Sequence, residues 1–450
     1  MTAEGAFLRY NEAVLKSVRL KNFKLHKSTS IEAAPITVFI GPNNSGKSSI
    51  FQALLILRQA THQTNEFLLP SIPQRRNTTD DEPFLFPPDA TIGPGEFANV
   101  VRRPSADLQI GCEGELQPDE AAVGLVRGAG AVQVSLDAYV RDNRLVRHEG
   151  WIKCQYGEGR WSFPSPASSG NLSVDGIPVE LRSVQYFQLI QAIYSFAGHV
   201  PEPHMREMND LALFLGSAPS KLLRSLHPVL PLRGFEEWAY PSTKFPGTEN
   251  LDRLVLSDRT VALTNALAAK SRLRAQISER LKSLVDVGID FETASAHRVK
   301  VFATSAGAGR AEMLFLNEGT GANQLPFILV PIALAQPNET ILLSEPEAHL
   351  HPKAQCELTR MLLTVAKKEN IQFFIETHSE HVLHTILNAV AKGEWDRDEV
   401  ALHYFQNKNG TAEVGKREIN QFGQVDGGLP DFFEQSLAEL TDYLKALRKP

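Results

Sequence analysis

The sequence contains little cysteine: only Cys112, Cys154 and Cys356 occur among 450 residues. Three scattered cysteines are too few for the disulfide framework of a secreted protein or for a zinc cluster, and they predict a reducing, cytoplasmic environment. The chain also lacks an apolar run of about 18 residues, which argues against a membrane-spanning helix. Its opening residues lack the basic and then apolar layout of a signal peptide.

The sequence has no strong excess of either charge. It holds 46 Lys and Arg against 52 Asp and Glu, a net charge of −6. A general nucleic-acid coat protein is therefore excluded, and any contact with nucleic acid would need a local patch. With 42% apolar and 22% charged residues, the composition is that of a folded globular protein. The length allows about two or three domains.

A glycine-rich segment lies between a β-branched run, Ile36–Ile40, and an apolar helical pattern that begins at Ser49. The segment GPNNSGKS fits the phosphate-loop pattern G-x-x-x-x-G-K-[ST] at every fixed position. In such a loop the backbone amides surround phosphate oxygens, the lysine reaches the β- and γ-phosphates, and the final hydroxyl binds Mg²⁺. The predicted nucleotide-binding residues are Gly41, Asn43, Asn44, Ser45, Gly46, Lys47, Ser48 and Ser49.

Two later apolar strands end in polar residues. The first, Thr340–Ser344, is followed by Glu345 and then by Glu347. A phosphoryl-transfer site needs acids at such a position, one to help hold Mg²⁺ and one to polarise the attacking water. The second strand, Ile371–Glu376, leads to His378, where a residue that senses the γ-phosphate would lie.

These motifs together resemble the ABC-type ATPase heads of the SMC/RecF/OLD group, and the prokaryotic OLD-like ATPases most of all. The likeness rests on GPNNSGKSS, ILLSEPEAHLHP, FFIETHSE and the opening LKSVRLKNFKLHKS, and it covers roughly residues 15–60 and 300–405. The resemblance implies an α/β P-loop NTPase fold, an ABC-ATPase head with a mixed or parallel core sheet, an antiparallel β lobe and a helical insertion.

The resemblance also implies roles for individual residues. Lys47 would act on the phosphates, Glu345 would be the catalytic base and a Mg²⁺ ligand beside Ser48, and His378 would be the switch histidine. The segment that begins at Asn317 resembles the family's signature. Its residues that would contact the nucleotide of a second subunit are Gly319, Gly321 and Asn323. Two places are candidates for the family's Mg²⁺-sensing residue, namely Gly93–Arg102 and the stretch near Gln185.

One position departs from the family pattern. Ser344 lies where the family usually has an acid immediately before the catalytic glutamate. A hydroxyl can orient a metal-bound water but supplies no charge. We therefore expect either slow hydrolysis or a contribution from Glu347 to the work of the missing acid.

The resemblance implies ATP and Mg²⁺ as cofactors and a homodimer, or a higher homo-oligomer, that closes around ATP. Three functions stay open. The chain could be an ATPase that controls a separately encoded effector or nuclease in antiphage defence, a RecF- or SMC-like repair ATPase that binds DNA, or a weakly hydrolysing nucleotide-gated scaffold. Only 72 residues follow His378, fewer than a typical domain has, so a fused nuclease is not expected.

A basic stretch at 252–284 bears on the DNA alternative, because its helical pattern holds seven basic and three acidic residues. Such a helix can follow DNA phosphates. It can equally be a solvated amphipathic helix that packs four residues into the core, Leu273, Ile277, Leu281 and Leu284.

The chain is predicted to form one ATPase core from both of its ends. Alternating runs between 106 and 163 indicate an antiparallel sheet. Residues 180–285 have a mostly helical pattern with a proline-bearing break around HPVLPLRGFEEWAYP. Arg233, in an apolar turn, has either a structural role or a contact with nucleotide or partner. The predicted parts are the N-terminal part of the core with the β lobe (1–165), a mainly helical insertion (166–288), the C-terminal part of the core (289–428) and a C-terminal helix (429–450).

Overall fold

The computed structural model describes residues 12–63, 100–118, 124–142, 144–164, 171–174, 177–179, 215, 218–219, 221–231, 233–242, 256–295, 297–305 and 313–429. The first strands and helices are β1 (Glu12–Phe23), β2 (His26–Glu32), β3 (Ile36–Ile40), α1 (Lys47–Gln63), β4 (Leu108–Gln117), α2 (Gly124–Gly128), β5 (Val132–Arg141), β6 (Arg144–Cys154), β7 (Gly157–Pro164), β8 (Asn171–Val174) and β9 (Ile177–Val179). They are followed by β10 (Leu226–Val229), β11 (Tyr240–Pro241), α3 (Leu256–Ala269), α4 (Ser271–Val285), β12 (Val287–Ser295), β13 (Arg298–Ser305), β14 (Met313–Leu314), α5 (Thr320–Leu334), β15 (Thr340–Ser344), α6 (Pro352–Glu369), β16 (Gln372–Glu376), α7 (Glu380–Ala391), β17 (Val400–Lys408) and β18 (Thr411–Arg417).

The central element is a six-stranded core sheet in the order β10-β15-β16-β3-β17-β18. All neighbours in it are parallel except β17 and β18, which are antiparallel. A parallel neighbour needs a crossover, and the helices α6 and α7 supply the crossovers between β15, β16 and β17. The mixed α/β core predicted from the sequence is thus confirmed, as is its assembly from both ends of the chain.

The core sheet is covered on both faces, as parallel sheets usually are. Along β3, Phe39 packs into one hydrophobic cluster with α1 and the antiparallel strands. Its neighbours Val38 and Ile40 pack into a second cluster with the later helices. Because alternate residues of a strand point to opposite faces, the unbroken apolar run ITVFI fits a strand that is buried on both sides.

The β lobe is an eight-stranded antiparallel sheet in the order β2-β1-β4-β5-β6-β7-β8-β9. The prediction of an antiparallel sheet between 106 and 163 is confirmed, and β8 and β9 extend the sheet beyond that range. A third, small sheet contains β11, β13 and β12, with β14 paired to β13.

The described residues of 180–285 are mostly helical, as predicted, in α3, α4 and residues 221–224. The strands β10 and β11 lie at the predicted proline-bearing break, 227–241. β10 lies in this range and pairs with β15 in the core sheet, although its sequence LHPV contains Pro228. Proline interrupts a central strand, but an edge strand tolerates it. β10 is the edge strand of the core sheet. The predicted boundaries of the insertion stay a prediction.

The basic stretch forms two helices instead of one. α3 ends at Ala269 and α4 begins at Ser271, with Lys270 between them outside helical geometry. The apolar pattern explains the break, because Leu273 follows Leu267 by six residues, which places them about 120° apart around a continuous helix. A break allows both apolar faces to reach the core.

The four apolar residues of α4 are buried, as the packing alternative predicted. We expect Leu281→Ala to lower the free energy of unfolding by about 2–5 kcal/mol, because it leaves a cavity in a packed core. Chemical denaturation measures the change. Gln276→Ala, on the exposed face of the same helix, serves as the control, and equal stability of the two variants would contradict the packing.

The predicted C-terminal helix at 429–450 lies outside the described residues except for Leu429. Among the described helices, we find none with the length and apolar character needed to cross a membrane.

Candidate nucleotide site

The predicted site residues meet at one edge of the core sheet. β15, β16 and β3 are parallel neighbours, so the segments that follow them emerge at the same edge. Glu345 follows β15, His378 lies two residues beyond β16, and the phosphate loop follows β3. In open α/β sheets, ligands bind outside the carboxyl ends of the strands.

The phosphate loop turns tightly between β3 and α1. Gly41 has φ +141° and Gly46 has φ +100°, conformations that residues with a side chain rarely adopt. A Cβ atom at Gly41 would also lie 2.1 Å from the carbonyl oxygen of Phe405. The loop leads directly into α1, which has no acidic residue in its first turn. An anion at this helix N-terminus would meet free amides and the positive end of the helix dipole.

The ammonium group of Lys47 is buried inside this turn. Its Nζ donates hydrogen bonds to the carbonyl oxygens of Gly41 at 3.0 Å and Pro42 at 2.9 Å. Burial lowers the pKa of Lys47, while Glu376 and Glu345 act in the opposite direction. A phosphate group would supply the negative charge that a buried ammonium group lacks among neutral carbonyls.

Two residues outside the motif brace the loop. The His26 ring, from β2, lies with Nε2 3.0 Å from the Gly46 carbonyl oxygen, and its Nδ1 lies 2.9 Å from the Thr29 hydroxyl. Asn407 donates its side-chain amide to the Asn44 carbonyl at 2.9 Å. Sequence reasoning missed both residues, because they come from strands far from the motif in the chain.

Ser48 faces a carboxylate that was not among the predicted site residues. Its hydroxyl donates to Glu376 Oε1 at 2.5 Å, and the Ser344 hydroxyl donates to Oε2 at 3.3 Å. Burial raises the pKa of Glu376, whereas hydrogen bonds from the two serines and the charge of Lys47 lower it. The motif FFIETHSE contains Glu376, but its place beside Ser48 depends on the order of the strands.

Glu345 and His378 lie side by side. Glu345 Oε1 is 4.0 Å from His378 Nε2, and both side chains are partly exposed. Glu345 adopts φ +45°, and its N–H donates to the Glu376 carbonyl at 2.8 Å. Burial and the charge of Lys47 lower the pKa of His378, with Glu345 opposing them. A partly exposed carboxylate beside a histidine, at the mouth of the phosphate loop, can accept a proton from water.

Glu347 has a different environment from Glu345. It is buried, and its Oε1 accepts hydrogen bonds from the Thr377 hydroxyl at 2.7 Å and from the His378 N–H at 2.9 Å. Burial raises the pKa of this carboxyl group. Glu347 therefore holds the backbone that carries His378, and this geometry disfavours a share in activating water.

The signature-like segment begins α5, with Gly319 exposed at its N-cap. Gly321 packs against the turn after β15, so a Cβ there would lie 2.5 Å from the His349 carbonyl oxygen. The Asn323 amide makes two hydrogen bonds with the Phe235 backbone: its Oδ1 accepts from the N–H at 2.7 Å, and its Nδ2 donates to the carbonyl at 3.0 Å. Gly319 is thus open to a partner, whereas the Asn323 amide serves the fold of its own chain. The contacts in trans predicted for Gly319, Gly321 and Asn323 stay a prediction.

Of the two roles predicted for Arg233, a structural one and a contact with nucleotide or partner, the structure supports the structural role. Its guanidinium donates to the carbonyl oxygens of Leu230 at 2.7 Å, Ser344 at 2.8 Å and Glu345 at 2.6 Å. Burial lowers the pKa of Arg233 to about 10. The side chain fixes the backbone on which Glu345 projects.

Lys270, Arg272 and Lys282 are exposed, whereas the other described basic residues of the stretch at 252–284 are buried or paired. Arg259 is buried. Arg274 lies 3.6 Å from Asp290, and Arg280 lies 3.8 Å from Glu369. These pairs weaken the argument for a DNA-binding helix. The Mg²⁺-sensing candidates lie outside the described residues except for positions 100–102.

The residues around Ser48 fit a bound Mg²⁺ ion. Oxygen atoms are available there from the hydroxyls of Ser48 and Ser344 and the carboxylate of Glu376, and Glu345 acts on Glu376 through its charge. Mg²⁺ prefers oxygen ligands and usually keeps several waters and substrate phosphates. Accordingly, the described residues contain no group of three or more His, Cys, Asp or Glu that would enclose an ion by itself.

A phosphate loop on a parallel sheet, with a glutamate and a histidine after the two neighbouring strands, defines the class of P-loop ATPases. The chain belongs to the AAA ATPase domain family, whose model matches residues 14–121 and 257–383, together just over half of the sequence. A second model, for a protein of unknown function (DUF3696), matches residues 396–442.

Two named relatives are similar to this chain. The OLD nuclease of Thermus scotoductus is 22% identical over 374 residues, which cover 81% of this chain and 59% of the relative. The chain thus spans less than two thirds of that relative's length. The DNA double-strand break repair Rad50 ATPase of Methanococcus maripaludis is 50% identical over 42 residues, 9% of this chain and 4% of the relative.

Among solved structures, the SMC head domain from Thermotoga maritima is similar with a TM-score of 0.40 and 14% identity. The match covers 90% of this chain and 100% of that one.

Proposed function

We propose that the chain binds ATP with Mg²⁺, hydrolyses it, and closes into a dimer around the nucleotide. The observation that carries the proposal is the convergence of Lys47, Ser48, Glu345 and His378 at the ends of three neighbouring parallel strands. Each of these side chains has the chemistry that phosphoryl transfer requires at its position. Membership of the AAA ATPase domain family supports the same proposal.

In the proposed reaction the protein mainly positions groups and balances charge. Lys47 would exchange its bonds to the loop carbonyls for bonds to the phosphates. Glu345 would orient the attacking water and accept its proton, and His378 would contact the γ-phosphate from the next strand. Bound Mg²⁺ would neutralise developing phosphate charge, with Ser48 among its ligands.

The proposed dimer places the exposed N-terminus of α5 against the ATP of the second subunit. The open position of Gly319 supports this arrangement, because a Cβ there meets no atom within 4 Å of its own chain. The first amides of a helix are free to bind an anion. Two copies would therefore form two composite sites.

Gly319→Glu is expected to prevent ATP-dependent dimer formation without unfolding the monomer. Its carboxylate would oppose the phosphates across the interface, while its own chain leaves room for the side chain. Size-exclusion chromatography with light scattering, with and without a non-hydrolysable ATP analogue, measures the mass.

Gly319→Ala is the matched control and should dimerise with the analogue, as the wild type does. If Gly319→Glu dimerises equally well, the proposed interface is wrong. If the wild type binds the analogue but keeps the monomer mass, the dimer proposal fails while ATP binding stands.

We further propose that the ATP cycle controls a separately encoded effector, with antiphage defence as the biological role. The resemblance to OLD-like ATPases supports this role. The Thermus relative is named a nuclease, and we do not transfer that activity to this chain. Co-purification of partners with Glu345→Gln in ATP, compared with Lys47→Ala, tests the proposal. A partner that binds the first variant and not the second is expected, and equal binding would contradict nucleotide control.

A further inference from the structure

Ser344 stands where the ATPases that this chain resembles usually have an acid, and the carboxylate of Glu376 lies beside it. β15 and β16 are parallel neighbours, and Ser344 is directly opposite Glu376 in their register. The two side chains therefore project from the same level and the same face of the sheet. Their direct hydrogen bond, 3.3 Å from the Ser344 hydroxyl to Glu376 Oε2, shows that they share one space.

Glu376 is also one strand nearer to the phosphate loop than Ser344 is. β16 lies between β15 and β3, and Glu376 is opposite Phe39, just before the loop begins. Its second carboxylate oxygen reaches Ser48 at 2.5 Å. One carboxylate thus connects the hydroxyl that would bind the metal with the serine that replaces the acid.

The surroundings of Glu376 are unfavourable for a purely structural carboxylate. The side chain is 3% exposed. Its hydrogen-bond partners are two neutral hydroxyls, and none of the ion pairs among the described residues includes it. Lys47 acts on Glu376 through its charge but forms no ion pair with it among the described residues. A buried carboxylate without an ion-pair partner is costly, so a glutamine or an apolar residue would serve the fold at least as well. A divalent cation beside Ser48 would add positive charge next to this carboxylate.

We propose that Glu376 orients the nucleotide-bound Mg²⁺ ion, the role that Ser344 cannot fill because it has no charge. The inference deepens the proposed ATPase function and rests on it. The acid lies at the end of the neighbouring strand β16 and reaches the space beside Ser344. The presence of Ser344 is therefore not a sufficient reason to expect slow hydrolysis.

The same residue also links the metal site to the catalytic base. The Glu376 carbonyl accepts the N–H of Glu345, and His378 follows two residues later. The backbone of Glu376 thus sets the position of Glu345, while its side chain sets the position of Ser48. A variant that changes only the side-chain charge separates these two contributions.

Binding of a fluorescent, non-hydrolysable ATP analogue, measured in Mg²⁺ and again in EDTA, tests the assignment on the full chain. The wild type should bind more tightly in Mg²⁺. Glu376→Gln should lose about 10- to 100-fold of that metal-dependent gain, the usual effect of removing a group that orients a metal ligand. Its binding in EDTA should be unchanged or tighter, because a negative charge near the phosphates has been removed.

The double variant Ser344→Asp/Glu376→Gln should regain most of the metal-dependent gain, since it returns a carboxylate to the same space from β15. Glu394→Gln, which removes an exposed carboxylate after α7, is the control and should behave as the wild type. Thermal unfolding of each variant checks the fold, and Glu376→Asp, with a shorter carboxylate, should keep part of the gain.

The assignment is overturned if folded Glu376→Gln keeps the full metal-dependent gain, or if the double variant folds and recovers none of it. Both results concern the difference between Mg²⁺ and EDTA. Failure of the proposed function has another signature, because the wild type would then bind no analogue in either condition.

Discussion

Replacing Glu345 with glutamine is expected to lower steady-state ATP turnover by about 10²–10⁴-fold, the usual contribution of a general base. The amide keeps the shape of the side chain but cannot accept a proton from the attacking water. ATP binding should persist, because Lys47 and the loop amides are unchanged. Turnover is measured by phosphate release, and binding by a fluorescent nucleotide on the same preparation.

Glu347→Gln is the matched control for this prediction. Its amide oxygen can still accept the hydrogen bonds from Thr377 and the His378 N–H that Glu347 accepts. We expect a much smaller loss of turnover than for Glu345→Gln. Intact turnover in Glu345→Gln would refute the assignment of the base, and a larger loss in Glu347→Gln would give that role to Glu347.

The backbone around Glu345 explains why a small displacement of the base should matter. The residue adopts φ +45°, its N–H is bound to Glu376, and its carbonyl accepts Arg233 Nη2 at 2.6 Å. A left-handed conformation is costly for a residue other than glycine and persists where the surroundings fix it. The backbone that carries the carboxylate is thus held by hydrogen bonds of its own N–H and carbonyl groups.

The sequence was sufficient to predict those parts of the site in which one short segment carries both structure and chemistry. The phosphate loop is such a case, because a buried strand, a tight turn and a helix N-terminus follow one another within about a dozen residues. The positions of Glu345 and His378 at the sheet edge were predictable for the same reason, since each lies within two residues of the end of an apolar strand.

Contacts between segments could not be predicted in this way. The role inferred for Glu376 depends on β16 lying between β15 and β3, and on a register that sets Glu376 opposite Ser344. His26 reaches Gly46 only because β2 lies over the loop. Strand order and register arise from packing of the whole chain, and one sequence alone does not reveal them.

The break at Lys270 was visible in the sequence, by contrast, in the shifted phase between Leu267 and Leu273. Charge counting over the whole stretch concealed it. Counting also treated Arg259 as a surface residue, although it is buried. Net charge along a segment therefore says little about a surface until the faces of each helix are known.

Lys47→Ala is expected to lower nucleotide affinity by about 30- to 4,000-fold, because truncating one member of a buried charge pair costs about 2–5 kcal/mol. Lys47 is 3% exposed and its ammonium group donates hydrogen bonds to loop carbonyls, so a phosphate would be its main charge partner. Isothermal titration with ATP in Mg²⁺ measures the loss, and phosphate release should fall in parallel.

Lys27→Ala removes the same charge from an exposed position of β2, next to the His26 that braces the loop. This control should keep wild-type affinity, so that a loss in Lys47→Ala cannot be attributed to the change in net charge. The two lysines therefore separate a specific contact from general attraction of an anion by a basic surface. Equal affinity of Lys47→Ala and the wild type would contradict the assignment of Lys47 as the residue that binds the phosphates.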